Sequence, residues 1–307
     1  MKAEINCDQK RRETMIANSR CIACNLSKKE QKIQKYSDEK KKKAFIQKVT
    51  GILYKYGDKE STPMLDKRIQ DIYNEYYEEE TDYKALKHKY NQYMLEREDE
   101  IRERLKETKN IEDYIKYVCV GNYIDFGVTG NIDDQMLENL LNKVNDLNIS
   151  KQEVKYLEEE LKDAKTLLYI TDNCGEIVLD KIFIEELKKR YKNLEIIVMV
   201  RGGLAINDAT IEDAEEVGLT KIVSVISNGA AITGTVKEQL SKEARKYLDS
   251  ADVIIAKGMG NFESMFEEGI NPYYLFLCKC DLFTTRFGVQ LFDPIFCKEE
   301  RLEIKNK

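Results

Sequence analysis

Residues 165–190 decide the fold: KTLLYI is followed by TDNCGE and then by the helix-like run IVLDKIFIEELKKR. An apolar strand, a short acidic turn and a helix are typical of a loop at the carboxyl end of a parallel strand. The backbone N–H groups at such a helix start favour an anion. In the turn, Asp172 offers a hard oxygen ligand for a cation, Gly175 lets the chain turn, and Glu176 falls in the first helical turn. The stretch therefore predicts a ligand site at the edge of an α/β sheet.

Further apolar runs alternate with helical stretches downstream, which is the spacing of repeated βα units. These runs are Ile196–Val200, Ile222–Ile226, Val253–Ala256 and Tyr273–Cys278. Residues 1–160 instead show helical periodicity and no strand signal. We expect an α/β protein: a helical N-terminal domain (residues 1–160) packed on a Rossmann-like, largely parallel, three-layer sheet domain (residues 161–307).

Polar, glycine-rich sequence follows each of the first four predicted strands. Because the carboxyl ends of parallel strands meet at one edge of a sheet, we expect these loops to converge. Their candidate site residues are Asp172, Asn173 and Glu176 in the first loop, Arg201, Asn207 and Asp208 in the second, Asn228 in the third, and Lys257, Asn261 and Glu263 in the fourth.

The chemistry of these loops is that of a phosphoryl site. Asp172, Asn173 and Asp208 carry oxygen ligands suited to Mg²⁺, Mn²⁺ or a similar divalent ion. Arg201 and Lys257 are cations suited to phosphate oxygens. A dinucleotide site is disfavoured, because the glycine motif is absent after the first strand and is incomplete after the fourth.

Composition excludes several other classes of function. The net charge of −6 argues against a dedicated nucleic-acid binder, and no apolar run is long enough to span a bilayer. The N-terminus lacks the apolar centre of a signal peptide, so we expect a cytoplasmic protein. His88 is the single histidine, so a zinc site with several histidines is excluded. A Ser-His-Asp triad would have no other histidine to use.

Four of the eight cysteines form two close pairs, Cys21 with Cys24 and Cys278 with Cys280. Two pairs of thiolates supply the four ligands of a structural metal, which is one interpretation. The alternative is that they are buried free thiols, which pack as small apolar groups.

With these loops assembled, the chain resembles the metal-dependent damage-control phosphatases, the acidic-residue methyltransferase-like family once called domain of unknown function 89. The resemblance is to archaeal and bacterial members that carry extra cysteines. Its motifs run in order along most of the chain: residues 21–24 (CIAC), 82–91 (Asp82, Lys87, Asn91), 121–126 (GNYIDF), 172–176 (DNCGE), 201–208, 228–229 and 257–263.

The resemblance implies a divalent cation, Mg²⁺, Mn²⁺, Co²⁺ or Ni²⁺, held at the positions of Asp172, Asn173 and Asp208. It implies hydrolysis of small phosphorylated metabolites, sugar phosphates among them, with Lys257 near the phosphate. Asp172, Asp208 and Lys257 are thus the candidate catalytic residues. The candidate substrate-binding residues are Glu176, Arg201, Asn207, Asn228, Lys257, Asn261, Glu263, Asn122 and Asp125.

The chain departs from the family pattern in its third loop, where Ala230 and Ala231 replace an expected Ser-Asp pair. This change bears on substrate preference more than on metal binding. The nucleophile is either a metal-activated water or Asp172 itself. Two other functions stay open: an S-adenosylmethionine-dependent carboxyl methyltransferase and a non-catalytic protein that binds a phosphorylated ligand.

Overall fold

A single six-stranded sheet lies at the centre of the computed structural model, which describes residues 15–108, 110–125 and 133–304. The strands are β1 Thr166–Ile170, β2 Glu195–Val200, β3 Ser224–Ser227, β4 Val253–Lys257, β5 Tyr273–Leu277 and β6 Pro294–Lys298. Their order across the sheet is β3-β2-β1-β4-β5-β6. The first five strands are parallel, and β6 pairs antiparallel with β5. The predicted α/β fold class is confirmed.

Two details of the sheet differ from the sequence-based prediction. The third strand begins at Ser224, not Ile222, because a 3₁₀ turn over Leu219–Lys221 occupies the preceding residues. The sixth strand was not predicted. It begins with Pro294, which lacks a backbone N–H, and proline is tolerated at the first residue of such an edge strand.

Helices precede the sheet and connect its strands. Those before the sheet are α1 Ser19–Ile33, α2 Glu39–Tyr56, α3 Thr62–Tyr76, α4 Tyr83–Leu95, α5 Glu98–Leu105, α6 Ile111–Gly121, α7 Asp134–Asn142 and α8 Lys151–Asp163. Those within the sheet region are α9 Glu176–Arg190, α10 Ile211–Glu216, α11 Lys242–Ser250, α12 Gly258–Met265 and α13 Asp281–Phe287. The side chains of Asp38, Asp82 and Ser150 cap α2, α4 and α8, as expected from their positions.

Both faces of the sheet are buried, which makes three layers. Leu167, Tyr169 and the residues in register with them contact one apolar cluster, which includes α4 to α9. Leu168 and Ile170 belong to a second cluster on the opposite face, which includes α11, α12 and α13. Alternate residues of β1 thus point to opposite layers, as strand geometry requires.

The N-terminal helices fall into two groups by the core they join. Helices α1 to α3 enclose a cluster of their own around Phe45 and Tyr73. Helices α4 to α8 share the first cluster with the sheet, and α6 packs along α9. This packing brings the end of α6, and Asn122 directly after it, to the carboxyl edge of β1 and β5. Across the described ranges, no helix is both long and apolar enough to cross a bilayer.

Candidate functional site

The loops after β1 and β2 are joined by backbone hydrogen bonds at the carboxyl edge of the sheet. The N–H of Cys174 donates to the carbonyl of Asn207 at 2.8 Å, and the N–H of Ala209 donates to that of Asp172 at 2.7 Å. Asn173 and Asp208 form an isolated antiparallel bridge between the loops. The pairing brings together the three predicted metal ligands, which are 36 residues apart at their extremes (172 to 208).

Two amides fix the carboxylate of Asp172. Its Oδ2 accepts hydrogen bonds from Asn173 Nδ2 at 2.7 Å and Asn122 Nδ2 at 2.9 Å. The same two amides donate to Glu176 Oε2, at 2.9 Å and 3.0 Å respectively. Asn122 is itself held by the N–H of Leu277, which donates to its Oδ1 at 3.1 Å. The helical region therefore supplies one of the groups that orient Asp172, and the substrate-binding role expected of Asn122 stays a prediction.

Arg201 is buried and contacts both the second and fourth loops. Its Nε donates to Asp208 Oδ2 at 2.6 Å, and its Nη1 donates to Asn261 Oδ1 at 3.0 Å and Thr235 Oγ1 at 3.2 Å. Its Nη2 lies 3.7 Å from Asp172 Oδ1 and has no hydrogen-bond partner within the described residues. A buried guanidinium N–H without a partner is costly, so this group is available for an anionic oxygen.

Asn228 presents a second unpartnered donor. Its Oδ1 accepts from the N–H groups of Gly202 and Ala230, both at 2.9 Å, which fixes the orientation of the amide. Its buried Nδ2 has no hydrogen-bond partner in the described part of the chain. The loops after β2 and β3 therefore each contribute a buried donor, from Arg201 and Asn228.

Burial and nearby negative charge raise the pKa values of Asp172 and Asp208. Burial, followed by the charges of Asp208 and Glu176, raises the pKa of Asp172 well above its ordinary value. Burial likewise raises the pKa of Asp208 to about 6, even though Arg201 opposes this shift. Such a cluster of like charges in a low-dielectric site is relieved by a cation.

The donor set accordingly fits a divalent ion. Asp172, Asn173 and Asp208 offer two carboxylates and an amide, which are the oxygen ligands that Mg²⁺ and Mn²⁺ prefer. Among the residues that the structure describes, no three acidic, histidine or cysteine side chains are grouped as a preformed metal site. The candidate set differs from such a group because one of its three members is an amide.

Lys257 lies behind the candidate ligands. Its ammonium group, which is fully buried, donates to Glu176 and Asp180. Burial alone lowers the pKa of Lys257, but the charges of Asp180 and Glu176 raise it above the ordinary value. The structure thus places this lysine in a buried ion-pair group, in contact with one carboxylate that borders the site.

The other predicted residues occupy the rim and the supporting layer. Asn207 Nδ2 donates to Asn173 Oδ1 at 3.1 Å, and Asn261 Nδ2 donates to the carbonyl of Thr171 at 3.2 Å. Asp125 pairs with Lys279, whose Nζ also donates to the carbonyl of Asn122 at 2.7 Å.

Sequence reasoning missed Lys279, although it follows β5 as the other loop residues follow their strands. The cysteines on either side of it, Cys278 and Cys280, drew attention to a metal instead. The rule that selected the first four loops, extended by one strand, identifies Lys279 as well.

Glu263 lies toward the first cysteine pair. Burial, then Asp66, raises the pKa of Glu263 to about 8, while a hydrogen bond from Thr62 lowers it. Glu263 in turn raises the pKa of Cys21 and of Cys280, after the larger effect of burial on each thiol. The described cysteines, Cys278 among them, form no disulfide with one another. The four-cysteine metal stays a prediction.

Gly258 is the first residue of α12, directly after β4 and beside Asp172. A Cβ at this position would lie 2.0 Å from Asp172 Oδ2, and the backbone has φ +80°. Only glycine therefore leaves room for the Asp172 carboxylate at this point of closest approach.

We expect Gly258→Ala to abolish metal binding at the site, because the new methyl group displaces Asp172. The matched control is Gly218→Ala, since Gly218 has φ +79° but no atom within 4 Å of the added Cβ. Both variants place a Cβ on a backbone with positive φ, but only Gly258→Ala also brings that Cβ against Asp172. Calorimetric titration with Mn²⁺ measures the metal affinity of each variant, and circular dichroism verifies that each one folds. Equal affinities in the two variants would contradict this account.

Comparison with known proteins places this geometry in a family. Residues 17–295 match the family described as the damage-control phosphatase ARMT1-like domain. The chain belongs to this family. The resemblance inferred from the loop motifs is confirmed, and the phosphatase activity attached to the family becomes the coarse functional expectation.

Relatives of this family member are found among archaea. The chain is 38% identical over 225 residues to the uncharacterised protein MJ0202 of Methanocaldococcus jannaschii, covering 70% of this chain and 73% of that protein. It is 40% identical over 185 residues to the damage-control phosphatase PH1575 of Pyrococcus horikoshii, covering 59% and 62% of the two chains. A crystal structure of the P. horikoshii PH1575 protein superposes with a TM-score of 0.74 and 28% identity, over 92% of this chain and 99% of that one.

Proposed function

We propose that this protein is a divalent-metal-dependent phosphomonoesterase that acts on small phosphorylated metabolites. The observation that carries the proposal is a pair of buried donors, Arg201 Nη2 and Asn228 Nδ2, that have no hydrogen-bond partner among the described residues. They accompany the carboxyl groups of Asp172 and Asp208, whose pKa values are raised. Donors aimed at anionic oxygens next to a cation site are the elements of phosphoryl-transfer catalysis.

Asp172, Asn173 and Asp208 would hold the metal ion, which when bound would neutralise negative charge on the phosphoryl group. Arg201 binds phosphoryl oxygens through Nη2 while its Nε stays on Asp208. Asn228 Nδ2 binds a further oxygen. Asp172 serves as a ligand, because Asn122 and Asn173 already orient its Oδ2.

The test is a screen of the purified protein against a panel of phosphorylated metabolites with Mg²⁺, Mn²⁺, Co²⁺ or Ni²⁺. We expect saturable release of inorganic phosphate that chelation of the metal abolishes. Saturable S-adenosylmethionine binding without metal would favour a carboxyl methyltransferase. Tight ligand binding with no turnover would favour a non-catalytic binding protein. A cytoplasmic location, without nucleic-acid or membrane partners, stays the prediction of the sequence.

Metal binding should strengthen as pH rises through about 6, because the ligand carboxyl groups must lose protons first. The pKa of Asp208 is higher in the folded protein than its unfolded value of about 4, so ionisation destabilises the metal-free fold as pH rises between these values. Thermal unfolding with and without Mn²⁺, from about pH 5 to about pH 8, checks both signs. We expect the metal-induced gain in Tm to grow across this range, and a gain that is independent of pH would contradict the shift.

A further inference from the structure

A buried ion-pair group lies behind the candidate metal ligands. Glu176 and Asp180 are one helical turn apart on α9, so their side chains share a face. Lys257 Nζ donates to Glu176 and, at 2.8 Å, to Asp180 Oδ1. Tyr169 OH donates to the same Oδ1 at 2.6 Å. Each of these three charged side chains is fully buried.

The group holds two carboxylates against one ammonium. A structural ion pair would need only Lys257 and Glu176, because one carboxylate neutralises one ammonium. Asp180 adds a second negative charge, and its Oδ2 has no hydrogen-bond partner within the described residues. Lys257 is consequently shared, and Glu176 is only partly neutralised by it.

The far side of Glu176 faces the candidate metal ligands. Its Oε2 accepts from Asn173 Nδ2 at 2.9 Å and from Asn122 Nδ2 at 3.0 Å. Both amides also donate to Asp172 Oδ2. An unbroken series of contacts thus runs from Asp180 through Lys257 and Glu176 to the amides that orient Asp172.

We propose that Asp180 and Lys257 are positioning residues: Asp180 holds the ammonium of Lys257 against Glu176, and Glu176 keeps the amides of Asn173 and Asn122 turned toward Asp172. The proposal rests on the proposed metal-dependent activity. It assigns Lys257 to the support of the metal ligands instead of contact with the phosphate, and it adds Asp180, which the loop motifs did not single out. Outer partners of metal ligands characteristically set metal affinity in this way.

The test measures Mn²⁺ affinity calorimetrically, without substrate, and then kcat and KM at saturating Mn²⁺. We expect Asp180→Asn to weaken Mn²⁺ binding by about 10–100-fold, the range for loss of an outer partner of a metal ligand, with KM unchanged. Tyr169→Phe removes only the hydroxyl that donates to Asp180. It should weaken binding less, in the same direction, and it covers the case in which Asp180→Asn fails to fold.

The double variant Lys257→Met/Asp180→Asn separates support of the ligands from contact with substrate. It removes one charge of each sign, so the net charge of the group is preserved. We expect weakened Mn²⁺ binding and an unchanged KM. Wild-type Mn²⁺ affinity in Asp180→Asn would overturn the proposal, as would a double variant with normal Mn²⁺ affinity and a raised KM.

Glu153→Gln is the matched control. Glu153 lies on α8, outside the candidate site, and its buried carboxylate pairs with Arg301. Its loss should leave Mn²⁺ affinity unchanged. A wild type that binds Mn²⁺ but releases no phosphate would reject the proposed function alone, since the affinities of the variants would still decide the positioning role. A wild type that binds no Mn²⁺ would overturn both.

Discussion

Asp172→Asn should reduce metal-stimulated phosphate release by at least about 100-fold, because even an outer partner of a metal ligand is worth about 10–100-fold. The substitution keeps the shape of the side chain but removes the charge that the cation needs. Asp172 is also the carboxylate on which the amides of Asn122 and Asn173 converge. Initial rates over a titration of Mn²⁺ measure the loss.

The same substitution should not destabilise the metal-free protein. Burial and the charges of Asp208 and Glu176 raise the pKa of Asp172, so its ionisation costs folding free energy at neutral pH. A neutral amide avoids that cost, and the Tm of the metal-free variant should equal or exceed that of the wild type. A large fall in Tm would show that the lost activity reflects unfolding.

A control for Asp172→Asn lies at the start of β1, the end of the strand opposite to Asp172. Asp252 accepts from the N–H groups of Lys165 and Thr166, at 2.8 Å and 2.9 Å, where β1 begins. Asp252→Asn removes a carboxylate near β1 but away from the carboxyl edge. We expect it to retain activity, and wild-type activity in Asp172→Asn would reject the assignment of the site.

Arg201→Lys should also have a large effect, a loss of about 100–1,000-fold in kcat, the range for one preorganised donor. Lysine retains a positive charge for Asp208 but lacks the planar fork, so it cannot occupy Asp208, Asn261 and a phosphoryl oxygen together. Inhibition by inorganic phosphate should weaken in parallel, because the product binds through the same donor.

The control for Arg201→Lys is Arg190→Lys, which changes a partly exposed arginine paired with Glu186 and Glu158. Ion pairs of this kind contribute little to stability, so we expect near-wild-type kinetics. Unchanged phosphate inhibition in Arg201→Lys would show that Nη2 does not bind the phosphoryl group.

Much of the fold could be predicted from local patterns. Apolar runs between helical stretches located the first five strands, and residues that can cap a helix, such as Asp38 and Ser150, mark helix starts. The helical periodicity that starts after Asp82 extends to Leu105, whereas the structure divides this stretch into α4 and α5. Its periodicity continues across the break at Glu96 and Arg97, so sequence alone carried no signal of the division.

The candidate site was predictable to the extent that it lies in loops after parallel strands. The convergence of Asp172, Asn173 and Asp208 follows from strand polarity alone. The contacts of Lys257 do not follow from strand polarity. Its position at the carboxyl end of β4 suggested contact with a phosphate, whereas its side chain extends to Glu176 and Asp180. A loop residue can point toward the edge or back into the layers, and only side-chain packing decides between them.

The sequence by itself determined the positions of the first five strands along the chain, the edge at which the polar loops meet, and the family. These properties depend on hydrophobic periodicity, turn residues and chain direction, which are local. Only the tertiary structure decided that Asn122 orients Asp172 and that Gly258 must lack a side chain. It also decided that, among the described residues, Arg201 Nη2 and Asn228 Nδ2 have no hydrogen-bond partner. Those relations join residues far apart in the chain, and they arise where layers and loops pack within a few ångströms of one another.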